Sequence, residues 1–286
     1  MRTATSKHGY AMNSSANTVF CQPFSFSPGG RISINHPERG NIGEVGIKTP
    51  FFVLSFSQKG RDKMKRIKLR DRKLPDYTKG EEIMNMVTHI VGGGIGVFAL
   101  LLCLGKSIWK GSLCGILCSL VYGLCMTGLY AMSSIYHGLR PCTGKMVLQV
   151  LDHCTIYFLI AGTYTPIVLC AIAPVYPAIG WGLFVFEWVL TALAVTLTAI
   201  DLKKYNVFSM ICYIGMGWAV LPFMKQTMEV LTRPGFLWLL WGGIAYTVGA
   251  ILYGIGSKKR WFHSVFHIFV VLGSLLQFIS VLIFAL

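Results

Sequence analysis

Charge is scarce in this chain, and acidic charge is scarcest. Only 13% of the 286 residues are charged and 54% are hydrophobic, whereas a soluble domain carries about 25% charged residues. There are 11 acidic residues against 26 Lys and Arg, and none of the acidic ones precedes Glu38. The deficit excludes an ordinary soluble protein and predicts a multi-pass protein of the cell membrane.

The basic residues lack the folded basic domain that nucleic-acid binding would require. Ten of the 26 lie between Lys59 and Lys79, directly ahead of the first apolar run. A basic segment beside a membrane helix acts as a topogenic signal or contacts anionic lipid. We therefore expect anionic lipid headgroups, and no nucleic acid, as partners of this segment.

The cysteines lack the pattern of a disulfide framework. There are nine, an odd number, with no Cys-x-x-Cys pair. Most lie in apolar runs, namely Cys103, Cys114, Cys118, Cys125, Cys154, Cys170 and Cys212. Free cysteine packs like a small hydrophobic residue. Cys114 and Cys118 share a helix face, but no third ligand lies near them in sequence, which favours packing over metal binding.

Residues 1–80 lack hydrophobic periodicity. Gly, Ser, Asn and Pro recur there, as in the run from Ser27 to Gly30, and this is the composition of loops and disordered chain. The early lack of acidic residues faintly resembles a transit peptide. The run from Met64 to Lys68 is instead an ordinary start for a bacterial membrane protein. We expect a late start at Met64 or a disordered basic tail, followed by one membrane domain over 81–286.

From Glu81 onward, long apolar runs dominate the sequence. Seven of them are each about long enough to cross the hydrocarbon of a bilayer as a helix. They cover residues 83–104, 112–136, 146–171, 176–199, 206–224, 235–256 and 262–285. Connections are short and no soluble insertion interrupts them. The sequence therefore predicts an all-α fold, a bundle of seven transmembrane helices.

Lys and Arg in the connections predict the orientation of this bundle, because they accumulate on the cytosolic side. With the N-terminus inside, seven loop charges lie inside and four lie outside. The inside set is Arg140, Lys145, Lys203, Lys204, Lys258, Lys259 and Arg260, and the outside set is Lys106, Lys110, Lys225 and Arg233. We expect a cytosolic N-terminus and a C-terminus outside.

Ionisable residues of several spans gather at the inner leaflet in this topology. His263 and His267 are four residues apart, so they share a helix face at the start of span seven. His137 ends span two at the same depth. Three histidine ligands with an open fourth position are typical of zinc sites that do chemistry. Asp152 lies at a depth from which it could bond the metal's water or orient a histidine. Ser133, one turn before His137, could hold water or substrate.

Two further ionisable residues stand apart from this group. His153 follows Asp152 and points about 100° away from it on a helix, so we expect a neighbour of the site or a lipid-interface residue. Glu187, near the middle of span four, is the exception to the convergence. It is a candidate for a proton-linked or helix-pairing group.

Four polar motifs stand in order on spans one, two, three and seven. They are Glu82-x-x-Asn85-x-x-x-His89, the run from Ser133 to His137, the run from Leu151 to Pro166, and His263-x-x-x-His267. Together they resemble the progestin and adipoQ receptor family, in its bacterial-type hemolysin III branch. The resemblance covers residues 75–286.

The resemblance implies a seven-helix fold with a zinc ion near the cytosolic face. It implies that His137, His263 and His267 are the zinc ligands, that Asp152 and Ser133 are the catalytic partners beside the zinc-bound water, and that Glu82 and His89 have a supporting role. Pro166 is expected to bend span three and open room beside the site.

Three functions are compatible with these residues. The first is zinc-dependent hydrolysis of an amide or ester of a membrane lipid, or a role in membrane-lipid homeostasis, with Asp152 accepting the proton and Ser133 orienting water or the oxyanion. Related receptors and the similar alkaline ceramidases suggest amide lipids by analogy. The second is a non-catalytic receptor-like protein or membrane-state sensor with structural zinc. The third, a cytolytic pore former, has little support because no polar stripe lines a continuous path.

Overall fold

The helices of the chain follow its apolar runs. The computed structural model describes residues 73–256 and 259–286, so the predicted start at Met64 and most of the predicted tail lie outside the described residues. The α-helices are α1 (Lys79–Trp109), α2 (Leu113–Gly138), α3 (Thr143–Pro166), α4 (Pro177–Ile200), α5 (Asn206–Gly217), α6 (Met224–Gly256) and α7 (Phe262–Ser280). The all-α prediction is confirmed for the described ranges, which contain no strand.

Six helical stretches of the described chain are long and apolar enough to cross a membrane. One of them, Asn206–Ile255, contains predicted spans five and six together. Within it Thr232 has φ 62° and ψ 165°, a conformation that breaks a helix and that β-branched residues rarely adopt. Trp218 Nε1 also donates to Thr247 Oγ1 at 3.0 Å, so the chain segments on the two sides of the break are in contact. Seven crossings and the orientation of the termini stay predictions.

The outer faces of the helices carry large apolar side chains. Leu101 and Val189 are each 62% exposed, and Ile211 is 66% exposed. Soluble monomers rarely expose apolar surface on this scale, whereas a membrane protein turns such a surface toward lipid. Together with the six crossing stretches, these faces are those of a multi-pass membrane protein.

One carboxylate ties the start of α1 to the start of α7. Glu81 Oε2 accepts the backbone N–H of Thr78 at 2.8 Å, and Thr78 Oγ1 accepts the N–H of Glu81, which forms a capping box. Glu81 Oε1 also accepts the backbone N–H of Trp261 at 2.6 Å. Trp261 has a left-handed φ of 69° and turns the chain into α7. The first and last helices are therefore anchored beside each other.

Close packing of α1 against α2 depends on small residues. A Cβ added at Gly92 would lie 2.5 Å from the ring of Tyr130, and one at Gly96 would lie 2.9 Å from Thr127 Oγ1. Glycines at such positions let helix backbones approach in a membrane protein. This contact brings the polar face of α1 against the end of α2.

Helix α3 changes type at Pro166. The α-helix ends at this residue and the chain continues as a π-helix over Ile167–Ile172. Proline has no N–H to donate to the preceding turn, so the hydrogen-bond ladder is interrupted there. A bend of span three that opens room beside the site stays a prediction.

Candidate metal centre

The last turn of α2 and the first turns of α7 bring three histidines together. One ring nitrogen each from His137, His263 and His267 lies within 4.8 Å of the other two. The ring centroids are 4.6 to 5.5 Å apart. His137 and His267 are buried and His263 is half-buried. This cluster can hold a metal ion with three imidazole ligands.

The hydrogen bonds of His137 leave one nitrogen aimed at the cluster. Its Nδ1 lies 2.6 Å from Glu82 Oε2. A carboxylate only accepts hydrogen bonds, so Nδ1 carries a proton and its N–H donates to Glu82 Oε2. Nε2 is buried and has no hydrogen-bond partner in the part of the chain that the structure describes. A histidine whose second nitrogen is held by a carboxylate is the usual arrangement of a metal ligand, so these residues fit a metal ion.

His263 and His267 point their Nε2 atoms at each other across 3.0 Å. Without a metal, one of the two nitrogens must carry a proton and donate it to the other. A cation placed between them and His137 Nε2 would replace that proton. The i, i+4 spacing on α7 produces this arrangement, as the sequence predicted from helix geometry.

Lys145 keeps the carboxylate of Glu82 paired. Its Nζ lies 2.6 Å from Glu82 Oε1 and 2.9 Å from the carbonyl oxygen of Leu139. The Lys145 side chain is only 3% exposed. Lys145 is not the loop charge that the sequence predicted, because it lies in the first turn of α3 and belongs to the site. The series Lys145, Glu82, His137 runs from a cation to the candidate metal position.

The other residues of the span-one motif lie against the histidines. His89 is buried, and its ring centroid is 3.9 Å from that of His267 and 5.0 Å from that of Tyr130. Neither ring nitrogen of His89 has a hydrogen-bond partner among the described residues. The amide nitrogen of Asn85 is 3.4 Å from His137 Nδ1. Glu82 and His89, expected to have a supporting role, both contact a histidine of the cluster.

Ser133 and Asp152 line the cavity beside the histidines. The cavity has a volume of about 130 Å³, and its lining, which is mostly apolar, includes residues of α1, α2, α3, α5, α6 and α7. Ser133 is buried and its Oγ has no hydrogen-bond partner in the described chain. Neither Ser133 nor Asp152 is hydrogen-bonded to the three histidines within the described ranges.

His153 and Glu187 lie apart from the three histidines. His153 also lines the cavity, but its ring is held by the carbonyl oxygen of Gln149 at 2.8 Å and by the Tyr253 hydroxyl at 3.3 Å. Glu187 is fully buried in α4 and does not line the cavity. Neither of its carboxyl oxygens has a partner among the described residues.

Tyr77, which the sequence did not predict as part of the site, covers the cluster from the segment ahead of α1. Its ring stacks on that of His263, with centroids 4.9 Å apart and an angle of 16° between the planes. Burial raises the pKa of Tyr77 well above its ordinary value, so the phenol stays neutral. No local pattern singles out a tyrosine in a polar stretch, and the contact joins residues at opposite ends of the domain.

This arrangement defines a multi-pass helical membrane protein with a buried histidine cluster that can bind a metal. The family model described as Haemolysin-III related matches residues 77–278, and the chain belongs to that family. The resemblance to the hemolysin III branch of the progestin and adipoQ receptor family is thereby confirmed.

Two relatives support the same assignment. Hemolysin-3 of Bacillus cereus is 34% identical over 206 residues, which cover 72% of this chain and 92% of that protein. The Hemolysin-3 homolog of Bacillus subtilis (strain 168) is 34% identical over 208 residues, which cover 73% of this chain and 96% of that protein. All the residues of the histidine cluster fall in the range matched by the family model.

Proposed function

We propose that this protein hydrolyses an amide or ester bond of a membrane lipid, with a zinc ion held by His137, His263 and His267. The main support for the proposal is the hydrogen bonding of the two ring nitrogens of His137. Its Nδ1 is hydrogen-bonded to Glu82. Its buried Nε2 has no hydrogen-bond partner in the described chain, although it lies close to the other two imidazoles. Imidazole nitrogens suit zinc. Three protein ligands leave the fourth position for reaction.

The residues around the cluster have roles that fit hydrolysis. Zinc would supply a Lewis acid that polarises the carbonyl and lowers the pKa of water toward about 7. Asp152, at the wall of the same cavity, accepts the proton that water gives up. Ser133 Oγ is not engaged by any described residue and donates a hydrogen bond to the carbonyl oxygen as negative charge develops there. Tyr77 covers the cluster and excludes bulk water.

The apolar part of the cavity favours a lipid substrate. Its lining includes Leu129, Ile156, Leu239 and Val270. A pocket of this kind suits an acyl chain, because its apolar lining replaces the equally apolar surroundings that the chain leaves in the bilayer. An acyl chain in the cavity would place its carbonyl at the polar end, where Ser133 lies.

We further infer seven crossings with a cytosolic N-terminus. The contact between Trp218 and Thr247 supports a reversal of the chain at Thr232. With this reversal, the histidine cluster lies at the inner leaflet. The basic segment Lys59–Lys79 would lie at the same surface and contact anionic lipid headgroups. Substrate would then enter from the inner leaflet.

The test is turnover of a lipid panel by purified protein in detergent micelles. The panel contains ceramides, other N-acyl lipids and phospholipid esters, and free fatty acid is measured by mass spectrometry. We expect release from at least one class, lost after chelation and restored by zinc. His267→Ala should lose both zinc and activity, whereas Asp152→Asn should keep zinc and lose activity.

Two results would contradict hydrolysis. One is no zinc-dependent fatty acid from any lipid of the panel. The other is full activity in Asp152→Asn. If zinc nevertheless raised the melting temperature of the inactive protein, the metal would be a structural clamp between α2 and α7, as in a receptor-like or sensor protein.

A further inference from the structure

Three free cysteines come together far from the histidines. Cys114 and Cys118 lie one turn apart at the start of α2, and Cys170 lies in the π-helical segment that follows α3. Cys114 Sγ is 3.9 Å from Cys118 Sγ and 3.8 Å from Cys170 Sγ. Cys114 is about 35 Å along α2 from His137, at 1.5 Å per residue. The thiol cluster is therefore a separate feature at the other end of the bundle.

The spacing of the sulfur atoms matches a metal bound by three thiolates. A metal–sulfur bond is about 2.3 Å long, and a trigonal arrangement of three such bonds separates the sulfurs by about 4.0 Å. The three ligand atoms of the cluster all lie within 4.8 Å of one another. An ion could enter with small rotations of the side chains and no movement of the backbone.

The local structure places one thiol of the cluster at the end of a helix. Cys114 is in the first turn of α2, which is capped by Ser112, and a bound metal ion would itself deprotonate the thiols that coordinate it. Cys118 is buried, Cys170 is half-buried and Cys114 is exposed. Because Cys114 is the second residue of α2, it is the thiol of α2 nearer the end of the helix, and Cys118 lies one turn deeper. The π-helix that carries Cys170 is a rare element, found frequently at functional sites.

We propose that Cys114, Cys118 and Cys170 form a site for a soft metal cation, Cu(I), held by three thiolates. Thiolate ligands select soft ions such as Cu(I). Within the described residues the group contains no fourth His, Cys, Asp or Glu, whereas structural zinc sites take four ligands. Each thiol that binds gives its proton to water as the copper–sulfur bond forms, so up to three protons are released and no electron is transferred.

The experiment is an anaerobic titration of the reduced, purified full chain with Cu(I), in competition with bicinchoninate. We expect one tightly held Cu(I) with three sulfur neighbours at about 2.3 Å in X-ray absorption. This readout separates the thiol cluster from the histidines, which would contribute nitrogen neighbours. Cys118→Ser and Cys170→Ser should each weaken binding at least 100-fold. Cys125→Ser, on the same helix but outside the cluster, should bind as the parent does.

Three outcomes would overturn the proposal. They are a shell of nitrogen neighbours only, a Cu(I) affinity of Cys118→Ser equal to that of Cys125→Ser, and fewer than one sulfur-bound copper per fully reduced chain. Each variant is checked for a single symmetric peak in size-exclusion chromatography. If a buried variant fails this check, the exposed Cys114→Ser is measured in its place, and unchanged binding there would equally contradict the site.

Discussion

Glu82→Gln should weaken metal binding at a site that the substituted residue does not itself ligate. Glu82 accepts the His137 Nδ1 proton at 2.6 Å and is ion-paired with Lys145 at 2.6 Å. The amide of Gln can still accept a hydrogen bond, but it has no negative charge. The imidazole of His137 then becomes a poorer electron donor through its Nε2.

The size of the effect follows from two independent magnitudes. A hydrogen bond to a charged group contributes about 1.5–3 kcal/mol. Loss of a residue that orients a metal-binding histidine weakens metal affinity about 10–100-fold, which is about 1.4–2.7 kcal/mol. The two ranges agree, so we expect zinc affinity to fall between 10-fold and 100-fold.

Stability should fall as well, for a different reason. Lys145 is left as a buried cation, and breaking a buried ion pair costs about 3–5 kcal/mol. We expect a loss of stability at the lower end of this range, because Lys145 keeps its hydrogen bond to the Leu139 carbonyl oxygen at 2.9 Å. The double variant Glu82→Gln with Lys145→Met removes the orphaned charge. It should regain most of the lost stability while zinc affinity stays low.

The assay is zinc competition against a fluorescent chelator, with thermal unfolding followed on the same samples. Glu187→Gln is the matched control, since Glu187 is a buried glutamate of the same membrane domain that does not line the cavity. Zinc binding by Glu82→Gln as tight as that by Glu187→Gln would refute a role of Glu82 in metal binding. Recovery of zinc affinity together with stability in the double variant would refute it as well.

Three further predictions test the cover of the site, the packing of α1 against α2, and the stabilisation of the fold by zinc. Tyr77→Phe should keep zinc affinity within about 2-fold because the ring stack on His263 remains. Tyr77→Ala should release zinc faster in a stopped-flow chelator experiment. Equal zinc-release rates for Tyr77→Ala and the parent would contradict a covering role of Tyr77. Gly92→Ala should lower the melting temperature, since its Cβ would lie 2.5 Å from the Tyr130 ring. Gly94→Ala should leave the melting temperature unchanged, since a Cβ there has nothing within 4 Å. Equal melting temperatures of the two variants would contradict the tight contact between α1 and α2. Zinc at 1,000 times its Kd should stabilise the fold by about 4 kcal/mol relative to chelated protein, and no change on chelation would contradict binding to the folded state.

The histidine cluster could be predicted from sequence because its signals are local or topological. The i, i+4 spacing of His263 and His267 fixes a shared helix face. The alternation of crossings then places His137 at the same leaflet. Ionisable residues are rare enough in apolar runs for such a coincidence to be informative.

Contacts between distant segments could not be predicted in this way. Lys145 was counted as a loop charge, and its burial depends on Glu82, which is 63 residues away. Cys170 joins Cys114 across 56 residues, and a π-helical turn that sequence periodicity does not reveal carries it there. Tertiary packing decided both. The break at Thr232 lies in the connection that the sequence predicted between spans five and six. The sequence did not single out Thr232 itself, because a β-branched residue disfavours the conformation that it adopts.

The central claim is that the three histidines bind zinc in a site open for chemistry, and zinc X-ray absorption on the purified full chain tests it most directly. The account predicts one zinc per chain with three imidazole nitrogens at about 2.0–2.1 Å and one further oxygen neighbour, all lost in His137→Ala. Zinc surrounded by sulfur, or a nitrogen shell unchanged in His137→Ala, would contradict it.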